Sequence, residues 1–383
     1  MNFKNKAWFL IIFILSCGEE KLDLTPFESG KFGVGVITRT FYDTSRKTPS
    51  AGSFPEESSR TLVTEIWYPS TDGTPSEPVR NGNPYTKEGP YPLIIFAHGA
   101  MSFRTQSTFL CKHLASHGYV VFSPDFPLSS FKKFTSMNPA DVMNQPGDVS
   151  FLITKALELS AKEGDILYNM ISSEKIGVTG HSLGGLTSIL AGFYEGLKDA
   201  RIKAVAPISP FACFLKKDVF EGKNLPLLII GGDKDMFVKF DTNIERIYEY
   251  AEAPKFMILL KNGTHLGSLD LDISEPLAFT IFSSVMKAMA TEEAENSFYN
   301  FLNTIGDISQ CENLYENYIE NGDINFALGY SKEFMLPEKQ RNYEKAFILA
   351  FFNIYLKGYE EWKKFLNEEY GKKFKDLVIK SSQ

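Results

Sequence analysis

The sequence predicts an α/β fold in which a mainly parallel sheet of eight strands is flanked by helices. Two observations predict it. Short apolar runs rich in β-branched residues recur along the chain, and from Leu93 onward most gaps between them have helical spacing. Such alternation favours right-handed βαβ units with helices on both faces of the sheet. We expect strands at 34–38, 62–68, 93–97, 119–123, 175–179, 204–208, 227–230 and 256–260, and helices at 104–117, 146–160, 183–195 and 240–252.

The two ends of this region differ from its centre. The first two predicted strands have no helix between them, so we expect an antiparallel edge of the sheet there, with surface loops at 43–60 and 69–91. After about residue 290 the strand patterns stop and helical patterns follow, including the run 346–356, which is apolar nearly all round. We therefore expect a main domain at 17–290 and a C-terminal helical extension at 291–383 packed on it.

Composition excludes two broad classes of protein. Of the 383 residues, 43% are hydrophobic and 23% are charged, which is the usage of a folded globular chain and excludes disorder as the main state. The net charge is −7 and no long basic run is present, so the chain offers little attraction to a phosphate backbone. We expect no nucleic-acid partner.

The N-terminus predicts a targeting segment. Lys4 and Lys6 precede an apolar run at 7–15, which is far shorter than the ~20 residues that span a bilayer. The sequence at 13–17 ends in Ser16-Cys17 and resembles the lipobox of bacterial lipoproteins. We expect a signal peptide at 1–16 and a lipidated Cys17 that anchors the exported protein to a membrane, on the periplasmic or cell-surface side. The alternative is an ordinary secretory signal with an incidental cysteine.

The other cysteines are Cys111, Cys213 and Cys311, which allow one disulfide at most. We interpret all three as small buried hydrophobic side chains. No Cys/His spacing typical of a metal site occurs, so we expect no metal.

The most specific motif is Gly180-His181-Ser182-Leu183-Gly184, which follows a predicted strand and precedes a predicted helix. This is the pattern of a nucleophile elbow, in which a sharp strand-to-helix turn exposes a serine above the sheet. The glycines two before and two after the serine leave room for the turn. The sequence therefore predicts Ser182 as a nucleophile.

A serine hydroxyl needs a base, and histidine has a suitable pKa. Of the five histidines, His98 belongs to a loop after a strand, His181 to the elbow, and His113 and His117 to a helix. His265 remains. It follows the last strand of the main domain and so lies at the same carboxyl edge of the sheet as the elbow. The alternative interpretation is a surface loop histidine.

The orienting acid is expected between the nucleophile and the histidine in chain order. A buried strand at 227–230 leads into a loop with two aspartates, Asp233 and Asp235. Counted from Gly232, Asp235 fits a Gly-x-x-Asp-x-x-Val pattern whose first position after the glycine is a variable turn residue, so Asp235 is favoured over Asp233. Its role would be to hold the tautomer of His265 and to stabilise the imidazolium.

A tetrahedral oxyanion needs two backbone N–H donors, one after the nucleophile and one in the loop after the third strand. We expect Leu183 and Ala100 to supply them, with Met101 as the alternative to Ala100. The neighbouring loops are rich in apolar side chains, which predict either a hydrophobic pocket wall or simple loop packing. These side chains are Met101, Phe103, Phe126, Leu128, Phe131, Phe134, Phe211, Phe214 and Leu215.

Together these motifs resemble the α/β-hydrolase superfamily, in particular bacterial relatives of dienelactone hydrolase, cutinase and platelet-activating-factor acetylhydrolase. The resemblance covers most of residues 30–290 and depends on the elbow and on further stretches at 43–46, 60–62, 67–69, 98–99, 116–119, 124–127, 144–149 and 352–358. It implies a serine carboxylic-ester hydrolase without a cofactor. The tail at 291–383 departs from the group and leaves the substrate open.

The leading prediction is an esterase or lipase that acts on a small-molecule or lipid ester with a hydrophobic moiety. Two alternatives remain. One is a peptidase or amidase that uses the same Ser182, Asp235 and His265; the other is a catalytically idle scaffold that serves as a surface binding lipoprotein.

Overall fold

A computed structural model describes residues 22–131, 138–235, 237–270, 300, 302–311 and 334–383. The predicted signal peptide, Cys17, Phe134 and the boundary near residue 290 lie outside these residues and stay predictions. A search of the described helices finds none with the length and apolar character needed to span a bilayer.

The described residues contain one ten-stranded sheet, with the order β10-β9-β8-β7-β6-β4-β5-β2-β1-β3. The pairs from β5 through β4 to β9 are parallel, whereas β1–β2, β2–β5 and β9–β10 are antiparallel. The strands are β1 (Gly33–Asp43), β2 (Arg60–Ser70), β3 (Val79–Arg80), β4 (Tyr91–Ala97), β5 (Val120–Asp125), β6 (Ile171–His181), β7 (Ile202–Ile208), β8 (Leu227–Gly232), β9 (Lys255–Leu260) and β10 (Leu377–Ser382).

The predicted fold class is confirmed, and the predicted count of eight strands is wrong by two. All eight expected strands are present, and β3 and β10 are additional. The two-residue β3 is too short to give a periodic pattern. The expectation that strands stop near residue 290 is also wrong, because β10 pairs with the far edge of the sheet. Its partner β9 is remote in sequence, so no local pattern indicates the pairing.

Helices cover both faces of the sheet. The cores on the two faces alternate along β4: Leu93 and Ile95 join one, while Ile94 and Phe96 join the other. The first core includes residues of α2, α3 and α4, and the second includes residues of α1, α5 and α6. The helices are α1 (Thr108–Ser116), α2 (Gln145–Ala161), α3 (Leu183–Phe193), α4 (Arg246–Tyr250), α5 (Pro337–Lys357) and α6 (Glu368–Gly371).

Helix α5 is the apolar helix that the run at 346–356 predicts, and it is buried along most of that run. It begins with Pro337 and ends at Lys357, and the following Gly358 has a positive φ of 74°, which suits the position after a helix C-terminus. A Cβ on Gly177 of β6 would lie 2.7 Å from the Phe352 ring, so the absence of a side chain there lets α5 approach the sheet.

A buried ion-pair network joins the strand edge to the start of α2. The fully buried Arg60 guanidinium binds the carboxylates of Asp141 and Asp148 at 2.9 and 2.6 Å. Arg46 binds Asp43 and also Asp148, each at 2.7 Å. Three of the stretches that carry the family resemblance, 43–46, 60–62 and 144–149, therefore meet in one cluster of charges.

Candidate active site

Ser182 lies at the sharp turn between β6 and α3. Its φ of 58° and ψ of −119° are strained for a residue with a side chain, and it is half-buried where its neighbours are buried. A Cβ on Gly180 would lie 2.4 Å from the Gly184 carbonyl oxygen, and one on Gly184 would lie 2.0 Å from that of Ala97. Only glycine fits at both positions, which explains the spacing of the motif.

His265 lies in the loop after β9, at the same edge of the sheet. Its Nδ1 is 2.7 Å from Oδ2 of Asp235, and both side chains are buried. Its ring centroid is 4.5 Å from that of His181, the residue directly before Ser182. The structure therefore places the His265 imidazole beside the elbow, not on an open surface loop.

The structure brings Asp235, and not Asp233, to His265. Oδ1 of Asp235 accepts the backbone N–H groups of Phe237 and Val238 at 2.9 and 2.8 Å, which aims Oδ2 at the imidazole. Asp233 is exposed, and its Oδ1 accepts the N–H of Asn262 at 2.6 Å. An ionised carboxylate can only accept hydrogen bonds, so the pair with Asp235 keeps the proton of a neutral imidazole on Nδ1 and the lone pair on Nε2.

The loop after β4 is held against the elbow by buried side chains. Nε2 of His98 accepts the Phe126 N–H at 3.0 Å, which leaves Nδ1 to donate to the Gly99 carbonyl at 2.7 Å. Burial lowers the pKa of His98 and so favours this neutral form. Oε1 of Gln106 accepts the Gly99 N–H at 2.7 Å. A Cβ on Gly99 would lie 3.3 Å from Cβ of Ser182, so the loop touches the nucleophile.

Two backbone donors lie at this contact. Leu183 begins α3, so its N–H has no partner within the helix. Neither that N–H nor the N–H of Ala100 has an acceptor within the described part of the chain. Met101, the alternative donor, gives its N–H to the Ser129 carbonyl at 2.8 Å and is thereby occupied.

Comparison with known proteins identifies the class. A family model described as PET hydrolase-like (PETase) matches residues 83–273. Platelet-activating factor acetylhydrolase of Canis lupus familiaris is 21% identical over 86% of this chain and 88% of its own. Bis(hydroxyethyl) terephthalate hydrolase of Streptomyces coelicolor is 25% identical over 48% of this chain and 53% of its own. A solved structure of a ferulic acid esterase from Streptomyces cinnamoneus is similar, with a TM-score of 0.54 and 19% identity, covering 86% of this chain and 91% of that one. These relatives and the structural neighbour are carboxylic ester hydrolases, and the similarities support an α/β-hydrolase serine esterase.

The apolar side chains expected around the site of the esterase divide into two groups. Four of them are fully buried and belong to the hydrophobic core, so the loop-packing interpretation holds for them. These are Phe126, Leu128, Phe214 and Leu215. Met101, Phe103 and Phe211 are half-buried, and Phe131 is 49% exposed. The sequence interpretation did not consider Phe237, whose ring centroid is 5.0 Å from that of His265.

The interpretation of three buried thiols is wrong for two of the cysteines. Cys213 and Cys311 form a disulfide with a Cα–Cα distance of 5.2 Å across a sequence separation of 98 residues. Spacing alone could not identify this pair. Cys111 is a free thiol, and burial raises its pKa well above the usual value. Among the described residues, no group of His, Cys, Asp or Glu could hold a metal ion.

Sequence reasoning missed the amide side chains that support the esterase site. Besides Gln106, Gln145 of α2 bridges two elements: its Nε2 donates to Oγ of Ser129 at 2.8 Å, and its Oε1 accepts the Thr187 hydroxyl of α3. The backbone carbonyl of Ser129 also accepts the Met101 N–H, so Gln145 links the loop after β4 to α3, the helix that follows the nucleophile. A lone glutamine has no spacing that marks such a role.

Proposed function

We propose that the esterase hydrolyses carboxylic esters with a hydrophobic acyl or aromatic moiety through an acyl-enzyme on Ser182. The observation that carries this proposal is the buried pair of His265 and Asp235 beside a strained, half-exposed serine. That combination supplies a nucleophile, a base of fixed tautomer and an orienting acid at one edge of the sheet.

In the proposed mechanism, Nε2 of His265 takes the proton of the Ser182 hydroxyl as Oγ attacks the ester carbonyl carbon. The N–H groups of Ala100 and Leu183 stabilise the oxyanion of the tetrahedral intermediate. The imidazolium, stabilised by Asp235, then protonates the departing alcohol. A water molecule, deprotonated by His265, attacks the acyl carbon of the acyl-enzyme. The bond to Oγ of Ser182 then breaks, the imidazolium returns the proton to Oγ, and the acid is released.

The substrate class is supported by the half-buried apolar side chains around the serine. The Phe211 N–H donates to the Ser182 carbonyl at 3.3 Å, which brings its backbone next to the elbow, and Phe237 lies beside His265. Apolar walls of this kind favour a hydrophobic acyl chain or an aromatic acid. Two of the similar proteins carry names that refer to aromatic acids, terephthalate and ferulic acid, and the third is named for platelet-activating factor.

The test is hydrolysis of p-nitrophenyl esters of short and long acyl chains by the purified protein. Ser182→Ala should lower kcat by a factor of about 10⁴–10⁶ while circular dichroism and Tm stay close to wild type. Wild-type activity in Ser182→Ala would reject the mechanism.

We also propose that Cys17 anchors the esterase to a membrane as a lipidated N-terminus. The lipobox-like sequence motivates the proposal, and the Cys213–Cys311 disulfide is consistent with an oxidising compartment outside the cytosol. Protein expressed with its N-terminal segment should enter the detergent phase on partitioning, and Cys17→Ala should move it to the aqueous phase. Unchanged partitioning of Cys17→Ala would contradict the proposal.

A further inference from the structure

The loop that carries His265 is hydrogen-bonded to helix α5, which begins far along the chain. Gln340, in the first turn of α5, is 76 residues beyond Thr264, the residue directly before His265. Its Oε1 accepts the Thr264 N–H at 2.9 Å, and its Nε2 donates to the Thr264 carbonyl at 2.7 Å. Both polar backbone groups of one residue are thus bound by one amide side chain.

The contact leaves little freedom. Gln340 is 1% exposed, and a Cβ on Gly267 would lie 2.4 Å from its Oε1, so the turn after His265 lies directly against the amide. The Thr264 hydroxyl also accepts the Gly267 N–H at 3.2 Å and closes that turn. The backbone on both sides of His265 is therefore fixed by one buried side chain.

A second set of contacts decides which way the Gln340 amide faces. Its Nε2 also donates to Oγ of Ser268 at 2.9 Å and to Oε1 of Glu344 at 3.1 Å. The Ser268 hydroxyl donates to that same Glu344 oxygen at 2.6 Å. Acceptors therefore surround Nε2 while a backbone donor faces Oε1. A rotated amide would place two donors together at the Thr264 N–H and two acceptors together at the Thr264 carbonyl.

We propose that Gln340 is a positioning residue for the catalytic base, which it acts on by fixing the backbone at Thr264 so that His265 keeps its place beside Ser182. This inference rests on the proposed function. Nothing in Gln340 contacts the reacting atoms; its effect passes through the loop. Small displacements of a catalytic group are costly, since a shift of about 1 Å can lower the rate by ~10²-fold.

Gln340→Ala tests the proposal, with Asn353→Ala as the matched control. Asn353 is a buried amide on the same helix, and its Oδ1 accepts the hydroxyl of Tyr119, directly before β5, at 2.7 Å. We expect Gln340→Ala to lower kcat on a p-nitrophenyl ester by roughly 10- to 100-fold with little change in KM. Asn353→Ala should lose thermal stability but keep kcat close to wild type.

Gln340→Glu tests the positioning role through the pH dependence of kcat, which a purely structural role of Gln340 would not change. The new carboxylate would keep an acceptor for the Thr264 N–H but would place an oxygen against the Thr264 carbonyl and the Glu344 carboxyl. It can donate there only when protonated. The titratable group in contact with the amide is Glu344, at 3.1 Å from Nε2. The other charged or titratable groups nearby are Arg341, which donates to the Leu269 carbonyl at 2.8 Å, together with His265 and Asp270 of the same loop. We expect kcat of Gln340→Glu to fall on the alkaline side of the pH profile, where wild type is level.

The outcomes separate this inference from the proposed function. If wild type shows no Ser182-dependent hydrolysis, the proposed function fails. If wild type is active but Gln340→Ala and Asn353→Ala lower kcat equally, or Gln340→Glu keeps the wild-type pH profile, the positioning role is overturned. If Gln340→Ala does not fold, the profile of Gln340→Glu decides the question.

Discussion

Replacing Asp235 by Asn changes one atom of the pair with His265 and keeps the shape of the side chain. Oδ1 of Asp235 accepts the Phe237 and Val238 N–H groups, and the amide oxygen of Asn can accept both. The loop should therefore keep its conformation. The amide nitrogen then takes the place of Oδ2, 2.7 Å from Nδ1 of His265, where two donors would meet.

The imidazole can relieve this conflict only by losing the Nδ1 proton and carrying its proton on Nε2. That tautomer donates towards Ser182 and cannot act as its base. We expect kcat to fall by ~10⁴-fold, which corresponds to about 5.4 kcal/mol in the barrier. The lost charge-assisted hydrogen bond should lower the free energy of unfolding by no more than about 3 kcal/mol, so the protein stays folded.

Asp233→Asn is the matched control on the same loop. In wild type, Oδ1 of Asp233 accepts the Asn262 N–H at 2.6 Å. The side-chain oxygen of an asparagine can accept the same hydrogen bond, so kcat of Asp233→Asn should stay close to wild type. Steady-state hydrolysis of a p-nitrophenyl ester, with Tm measured for each variant, compares the two. An inactive Asp233→Asn beside an active Asp235→Asn would refute the assignment of the acid.

Three further predictions concern stability. Arg60→Ala should lower the free energy of unfolding by about 3–5 kcal/mol in urea denaturation, because it leaves Asp141 buried without a cation and Asp148 with Arg46 alone. A change under about 1 kcal/mol would contradict the network. Without reductant, the double variant Cys213→Ser and Cys311→Ser should have a free energy of unfolding about 2–4 kcal/mol below that of wild type, because the disulfide closes a loop across 98 residues. Dithiothreitol should lower the stability of wild type but not that of the variant. Burial raises the pKa of Glu344 from 4.5 to about 7, so wild type should lose roughly 3 kcal/mol of stability between these pH values as the unfolded chain ionises first. Glu344→Gln should lack that loss, and parallel pH dependences of the two proteins would refute it.

The parts of the fold that could be predicted from the sequence are those whose cause is local. Each of the eight central strands is a short run of apolar residues, and the helices between them have their own periodicity, so their order and the parallel sheet follow from the pattern. The elbow is local too, because the strand, the glycines and the helix that define it lie within one stretch of β6 and α3. The apolar run of α5 predicts its burial for the same reason.

Contacts between distant segments could be decided only by the tertiary structure. The Gly-x-x-Asp pattern favours Asp235, but its selection depends on the N–H groups of Phe237 and Val238 aiming one oxygen at a histidine on another loop. Three other contacts join segments that are remote in sequence: β10 pairs with β9, Cys213 forms a disulfide with Cys311, and Gln340 binds the backbone of Thr264. In none of them does the sequence of one segment identify its partner. Periodicity records which face of an element is buried, whereas a hydrogen bond or a disulfide between remote segments depends on where the chain has brought them.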